Sequence, residues 1–182
     1  MKYLARFIMW LAGCKYKGEL PAEKKAVIIS VPHTSNWDFF WGELAFLSQG
    51  IPAFILMKKE FFFFPLGMIL RALNVIPVDR GNKDSQLVEQ MITEFKQRDS
   101  MYLCITPEGS RKKRKKWKKG FLVIAKAAGV PVYLGRIDYK GKYCEVGPLF
   151  YPTEDVDADL AYIMSTYHDA NPKYPENFSN GN

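Results

Sequence analysis

Four short apolar, β-prone runs constrain this chain more than any other feature: Ala26 to Val31, Ala53 to Met57, Asn74 to Val78 and Met101 to Thr106. Each has the length of a buried strand and is bounded by turn signals. Helical segments alternate with them. Phe39 to Ser48 is broken by Gly50-Ile51-Pro52. Phe61 to Leu70 is the most hydrophobic stretch and reads as a helix or bent apolar surface. In Lys83 to Arg98 the residues Leu87, Val88, Met91, Ile92 and Phe95 recur at helical spacing. Trp117 to Ala128 is stopped by Gly129 and Pro131. This alternation predicts an α/β fold with a central, mixed but mostly parallel sheet flanked by helices. Val132 to Tyr139 and Lys142 to Val146, joined by Lys140-Gly141, read as a closing hairpin, and Thr153 to Ala170 as a last helix. A length of 182 residues, 48% of them hydrophobic, predicts one domain over 1–182 with a sizeable core. Residues 1–20 read as a short N-terminal amphipathic segment, packed on the core or lying in a membrane interface. The tail 171–182 reads as loose.

Parallel sheets place their chemistry beyond the carboxyl ends of the strands. The first run ends there in Pro32-His33-Thr34-Ser35-Asn36-Trp37-Asp38. A carboxylate five residues after a histidine, across a tight turn, can accept the Nδ1 proton and hold the tautomer. The other ring nitrogen is then a general base for a hydroxyl or water. The same spacing also fits a structural histidine in a capping loop, with Asp38 favoured by the helix start. Two more strand ends carry polar turns: Asp79-Arg80-Gly81, and Pro107-Glu108-Gly109-Ser110-Arg111. Each alone is ordinary turn composition. Together they would bring a base, an orienting acid and two arginines to one crevice, and arginine forks suit phosphate.

Charge is concentrated. The net charge is +7, from 26 basic and 19 acidic residues, and Arg111 to Lys119 alone holds eight of the basic ones. Such a patch attracts a polyanion: nucleic acid, an anionic membrane face or an acidic carrier protein. A nucleic-acid reading would have Trp117 stack on a base; an exposed basic run is also commonly just a solvated face. The apolar run Tyr3 to Ala12 contains Arg6 and is too short to span a bilayer. It reads as neither a transmembrane helix nor a secretory signal. Cys14, Cys104 and Cys144 have no metal-ligand spacing, which predicts a reducing compartment and no metal site. Cys104 reads as a core residue.

The order of four blocks resembles the lysophospholipid acyltransferase family, which includes the 1-acyl-sn-glycerol-3-phosphate acyltransferases. The blocks are His33-Thr34-Ser35-Asn36-Trp37-Asp38, Ile76-Pro77-Val78-Asp79-Arg80-Gly81, Thr106-Pro107-Glu108-Gly109-Ser110-Arg111 and Val130-Pro131-Val132. The resemblance implies that family's fold and transfer of a fatty acyl group from acyl-CoA or acyl carrier protein to a lysolipid hydroxyl, with no bound cofactor. It implies His33 as catalytic base and Asp38 as its orienter. Arg80, Glu108, Gly109, Ser110 and Arg111 would bind the acceptor's polar head, and Pro131 would belong to the acyl-donor side. The chain departs from the pattern at Pro32, where Asn is common, at Thr106, where an aromatic is common, and at Ser110, where Thr is common. The acceptor expected on this basis is a lysophosphatidate-like lysophospholipid. A non-phosphate lysolipid, such as an amino-acid lipid, is the alternative within the family, and a non-enzymatic anionic-membrane or nucleic-acid binder the alternative outside it. The basic run Arg111 to Lys119, following the third block directly, points to an anionic membrane surface or an acidic carrier rather than nucleic acid. The expected location is peripheral, on the inner face of the cytoplasmic membrane.

Overall fold

β-Branched and aliphatic runs become strands here because both of their faces are buried. In the computed structural model, which describes residues 1–78, 84–114 and 116–180, the chain runs α1 (Lys2–Leu11), β1 (Lys15–Lys17), β2 (Lys25–Val31), α2 (Trp37–Gln49), β3 (Ala53–Lys58), α3 (Leu66–Ala72), β4 (Val75–Val78), α4 (Asp84–Gln97), β5 (Met101–Ile105), α5 (Gly120–Ala128), β6 (Val132–Asp138), β7 (Tyr143–Glu145), β8 (Leu149–Phe150) and α6 (Val156–Ser165). The strands form one sheet in the order β1-β7-β6-β2-β5-β3-β4, with β8 also on β6. Pairing is parallel except where β6 meets β7 and β8. The α/β expectation and the mostly parallel sheet are therefore correct.

β2 is the central strand, and its alternation sorts the two layers. Val27, Ile29 and Val31 face a core built with Met91 and Phe95 of α4, Phe121, Leu122 and Ile124 of α5, and Leu160 and Ile163 of α6. Ala26 and Ile28 face the other side, packed with Phe46, Ile51 and Cys104. There α2 covers the sheet, and Ala5 and Met9 of α1 pack on its Leu44 and Ala45. Burial lifts the Cys104 thiol to about 12, consistent with an inert core residue. Gly50 ends α2 in a left-handed conformation, which turns the chain into β3.

Four boundaries differ from the sequence expectation, each for a visible reason. Phe61 to Leu70 is split: Lys59–Phe61 form a 3-10 turn, and α3 begins only after Pro65. α5 begins at Gly120 rather than Trp117, because Trp117 is drawn into the core, where its Nε1 donates to the Ser179 carbonyl at 2.9 Å. α6 begins at Val156 because the Asp155 carboxylate caps the Asp157 and Ala158 amides. β1 and β8, of three and two residues, carry no sequence signal of their own and exist through their partners β7 and β6.

The segment after α6 bonds back onto the rest of the fold. Asn171 donates to Asp138 Oδ2 at 2.7 Å and its carbonyl accepts from the Tyr139 amide at 3.0 Å. The Tyr174 amide donates to Thr34 Oγ1 at 3.3 Å, and Phe178 packs against the core. Among the described residues no helix is long and apolar enough to cross a membrane.

Candidate active site

The turn after β2 is built around Asp38, in the first turn of α2. Its side chain is almost fully buried and is held by donors from three directions. Oδ2 accepts the Thr34 and Ser35 amides, both at 2.7 Å, and lies 3.3 Å from His33 Nδ1. Oδ1 accepts the Tyr139 hydroxyl at 2.6 Å. Burying a carboxylate is tolerable only when it is bonded this fully. The His33 ring keeps some solvent access, with its side chain 21% exposed, so Nε2 is the nitrogen left for a reactant. The geometry therefore joins what the spacing left open: Asp38 both organises the helix start and orients His33.

Glu108, from the turn after β5, enters from the neighbouring strand. Its Oε1 accepts the His33 amide at 2.8 Å, and only 5% of the residue is exposed. Burial pushes this carboxyl up to about 8; the His33 amide pulls it down and the Asp38 charge pushes it up further. Glu108 thus anchors the histidine's backbone. Gly109 has φ +64°, the left-handed region, and a Cβ there would press on the Lys118 stem at 3.2 Å. The Ser110 hydroxyl accepts the Lys112 amide at 3.1 Å, and Arg111 donates to Asn36 Oδ1. So β2 and β5, adjacent in the sheet, bring His33, Asp38, Glu108 and Arg111 together.

Pro131 is not part of this cluster. Its carbonyl accepts the Val27 amide at 2.9 Å, at the amino end of β6, whereas His33 follows the carboxyl end of β2. Asp79, Arg80 and Gly81 lie outside the described residues.

Tyr139 is the residue that sequence reading missed. β6 pairs with β2 so that Val31 lies opposite Arg136, and three residues further on the Tyr139 hydroxyl reaches Asp38. A tyrosine at the end of a parallel strand is the signal, but it acquires meaning only once β6 is known to neighbour β2. Burial first, then the bond to Asp38, push its hydroxyl well above the usual tyrosine range, so it remains a donor. The loop from Pro107 to Lys118 closes on itself through a 2.7 Å bond from the Lys118 amide to the Pro107 carbonyl. Lys112, Lys113, Arg114 and Lys116 are exposed on it. Trp117 corrects the stacking idea: at 4% exposed, and packed against Tyr167, it cannot meet a base or a membrane.

Among the described residues no cluster of histidine, cysteine and acidic side chains could hold a metal. A mostly parallel sheet flanked by helices, with a histidine–carboxylate pair in the turn after its central strand, defines the chain as an α/β protein. More particularly, the acyltransferase family model matches residues 13–134, and the chain belongs to that family. The fold is similar to that of a crystal structure of the 1-acyl-sn-glycerophosphate (LPA) acyltransferase PlsC from Thermotoga maritima. The TM-score is 0.66 and the identity 17%, over 91% of this chain and 74% of that one. None of the curated proteins matches the chain.

Proposed function

We propose that this acyltransferase moves a fatty acyl group from acyl-CoA or acyl carrier protein to the hydroxyl of a lysophospholipid, with a lysophosphatidate-like acceptor. The observation that carries the reading is the 3.3 Å approach of His33 Nδ1 to a buried, four-donor Asp38, beside Arg111. The likeness to a fold that acylates 1-acyl-sn-glycerophosphate supports the acceptor class.

In the mechanism, His33 Nε2 takes the acceptor's hydroxyl proton as that oxygen attacks the thioester carbonyl. Asp38 stabilises the imidazolium that forms. The tetrahedral intermediate then expels the thiolate, the C–S bond breaks, and the thiol leaves with the proton held by His33. No covalent enzyme intermediate is required. In this reading Arg111 binds the acceptor's phosphate, while Glu108 and Gly109 shape the turn that presents it.

The lipid acceptor requires a surface to work on. The outward side of α1 exposes Tyr3, Leu4, Phe7, Trp10 and Leu11, and the segment around α3 exposes Phe61, Phe63, Phe64, Met68 and Ile69. With the basic loop, these support peripheral attachment to an anionic membrane, the inner face of the cytoplasmic membrane in our reading.

The test is transfer of labelled acyl chains from acyl-CoA and from acyl carrier protein to a panel of lysolipids. Lysophosphatidate is expected to be the best acceptor. Preference for a neutral or amino-acid lysolipid would overturn the acceptor class. His33→Ala is expected to fold normally and to lose activity by about 10²–10⁴-fold; near wild-type turnover would reject the base assignment.

A further inference from the structure

The C-terminal segment supplies a side chain to the active-site mouth that none of the four sequence blocks contains. Residues 171–174 are fixed at both ends of their approach, by Asn171 on Asp138 and Tyr139 and by the Tyr174 amide on Thr34, the residue after His33. Between these anchors stands Lys173. Its ammonium lies 4.9 Å from the Trp37 ring centroid and 5.7 Å from that of Tyr174. Both rings are substantially exposed, at 50% and 42%. No carboxylate among the described residues lies within ion-pair distance of Lys173. Aromatic faces orient an ammonium without accepting its N–H donors in conventional hydrogen bonds, so all three donors remain for something else. Arg111 bonds Asn36, and Lys173 lies against the ring of the next residue, Trp37. Two cations therefore flank consecutive residues of the turn that carries His33.

Resting on the acyl-transfer reading, we infer that Lys173, positioned by Trp37 and Tyr174, binds a phosphate group of the substrate alongside Arg111. Phosphate reaches this site from two sources in the proposed reaction: a lysophosphatidate-like acceptor and a CoA donor. The shared chemistry is a phosphate oxygen accepting from the ammonium. The tail from Asn171 to Tyr174 is then one wall of the substrate site and no appendage.

Fragment binding tests this without any turnover. Glycerol 3-phosphate represents the acceptor and adenosine 3′,5′-bisphosphate the donor, each titrated into wild type, Lys173→Gln and Lys173→Arg and followed by phosphorus NMR. We expect one fragment to bind wild type, to weaken roughly tenfold in Lys173→Gln, as for loss of one charge-assisted bond, and to recover largely in Lys173→Arg. The fragment affected identifies the source of the phosphate. In turnover, the KM of the same substrate should rise with kcat within about twofold, and an acyl-pantetheine donor without the nucleotide phosphates separates the two arms. Fragments that bind Lys173→Gln as tightly as wild type, or that fail to bind wild type, would overturn the inference. Absent acyl transfer alongside a Lys173-dependent phosphate would instead overturn the proposed function.

Discussion

At the scale of single residues the site is organised by what Asp38 accepts. Four donors converge on two oxygens, and each does a separate job: two amides shape the turn, His33 is oriented, and Tyr139 holds the far oxygen. Replacing Tyr139 by Phe keeps the ring and deletes one bond to a charged acceptor. A hydrogen bond to a charged group is worth about 1.5–3 kcal/mol. We therefore expect Tyr139→Phe to lower kcat by roughly tenfold or more while the acceptor KM changes little, as read from steady-state kinetics. An unchanged kcat would mean that Tyr139 only fills space. Asp38→Asn removes the charge that stabilises the imidazolium and should cut kcat by at least about 10²-fold. A variant that instead melts early yet works normally per folded molecule would show a purely structural Asp38. The histidine, both acids and Arg111 stand in short local blocks, which is why they were legible in the sequence. Tyr139 was not, because its partner is 101 residues away.

At the scale of elements two tryptophans separate packing from docking. Trp117 is buried in the core beside Tyr167, so Trp117→Ala should cost about 3–5 kcal/mol in chemical denaturation. Trp10 on α1 is 73% exposed, so Trp10→Ala should leave stability almost unchanged and weaken binding to anionic vesicles. In the proposed membrane attachment the loop between Pro107 and Lys118 would contribute the electrostatic half. Converting exposed Lys112, Lys113, Arg114 and Lys116 to glutamate should release the protein in vesicle co-sedimentation, because each basic residue near such a surface contributes about 1 kcal/mol. Raising the salt should weaken wild-type binding in the same direction. Salt-insensitive binding, unchanged by the charge reversal, would assign attachment to the apolar faces alone.

For the molecule as a whole, two buried glutamates make stability depend on pH. Burial raises Glu43, on α2, to about 7, and its Oε2 has no hydrogen-bond partner among the described residues; Glu108 is raised to about 8. Both values lie above the ordinary 4.5 expected of the unfolded chain. Between those limits the folded state binds more protons, so this contribution is fully present below about pH 4.5 and is lost as pH rises through 7 and 8. Denaturation curves from pH 4.5 to 8 should show unfolding free energy falling across that range and levelling off above it. Glu43→Gln should flatten part of the slope. A flat profile in the wild type would mean that both carboxyls ionise freely in the folded protein.

Periodicity and turn composition determined the element types, the parallel character of the sheet and the His33–Asp38 turn, because burial and local backbone geometry are written within a few residues of each other. Neighbourhood was decided only by tertiary structure. Burial of both faces of β2 set β5 on one side and β6 on the other, and that order turned Glu108 inward under His33 and brought Tyr139 to Asp38. Trp117 looked like part of an exposed basic run, yet its indole found an acceptor at Ser179, 62 positions on. The tail carries a bond from Tyr174 to Thr34, 140 positions upstream, that no local pattern could specify. Local patterns encode which surfaces must be buried; which surfaces bury one another is settled when the packed layers compete for the same faces.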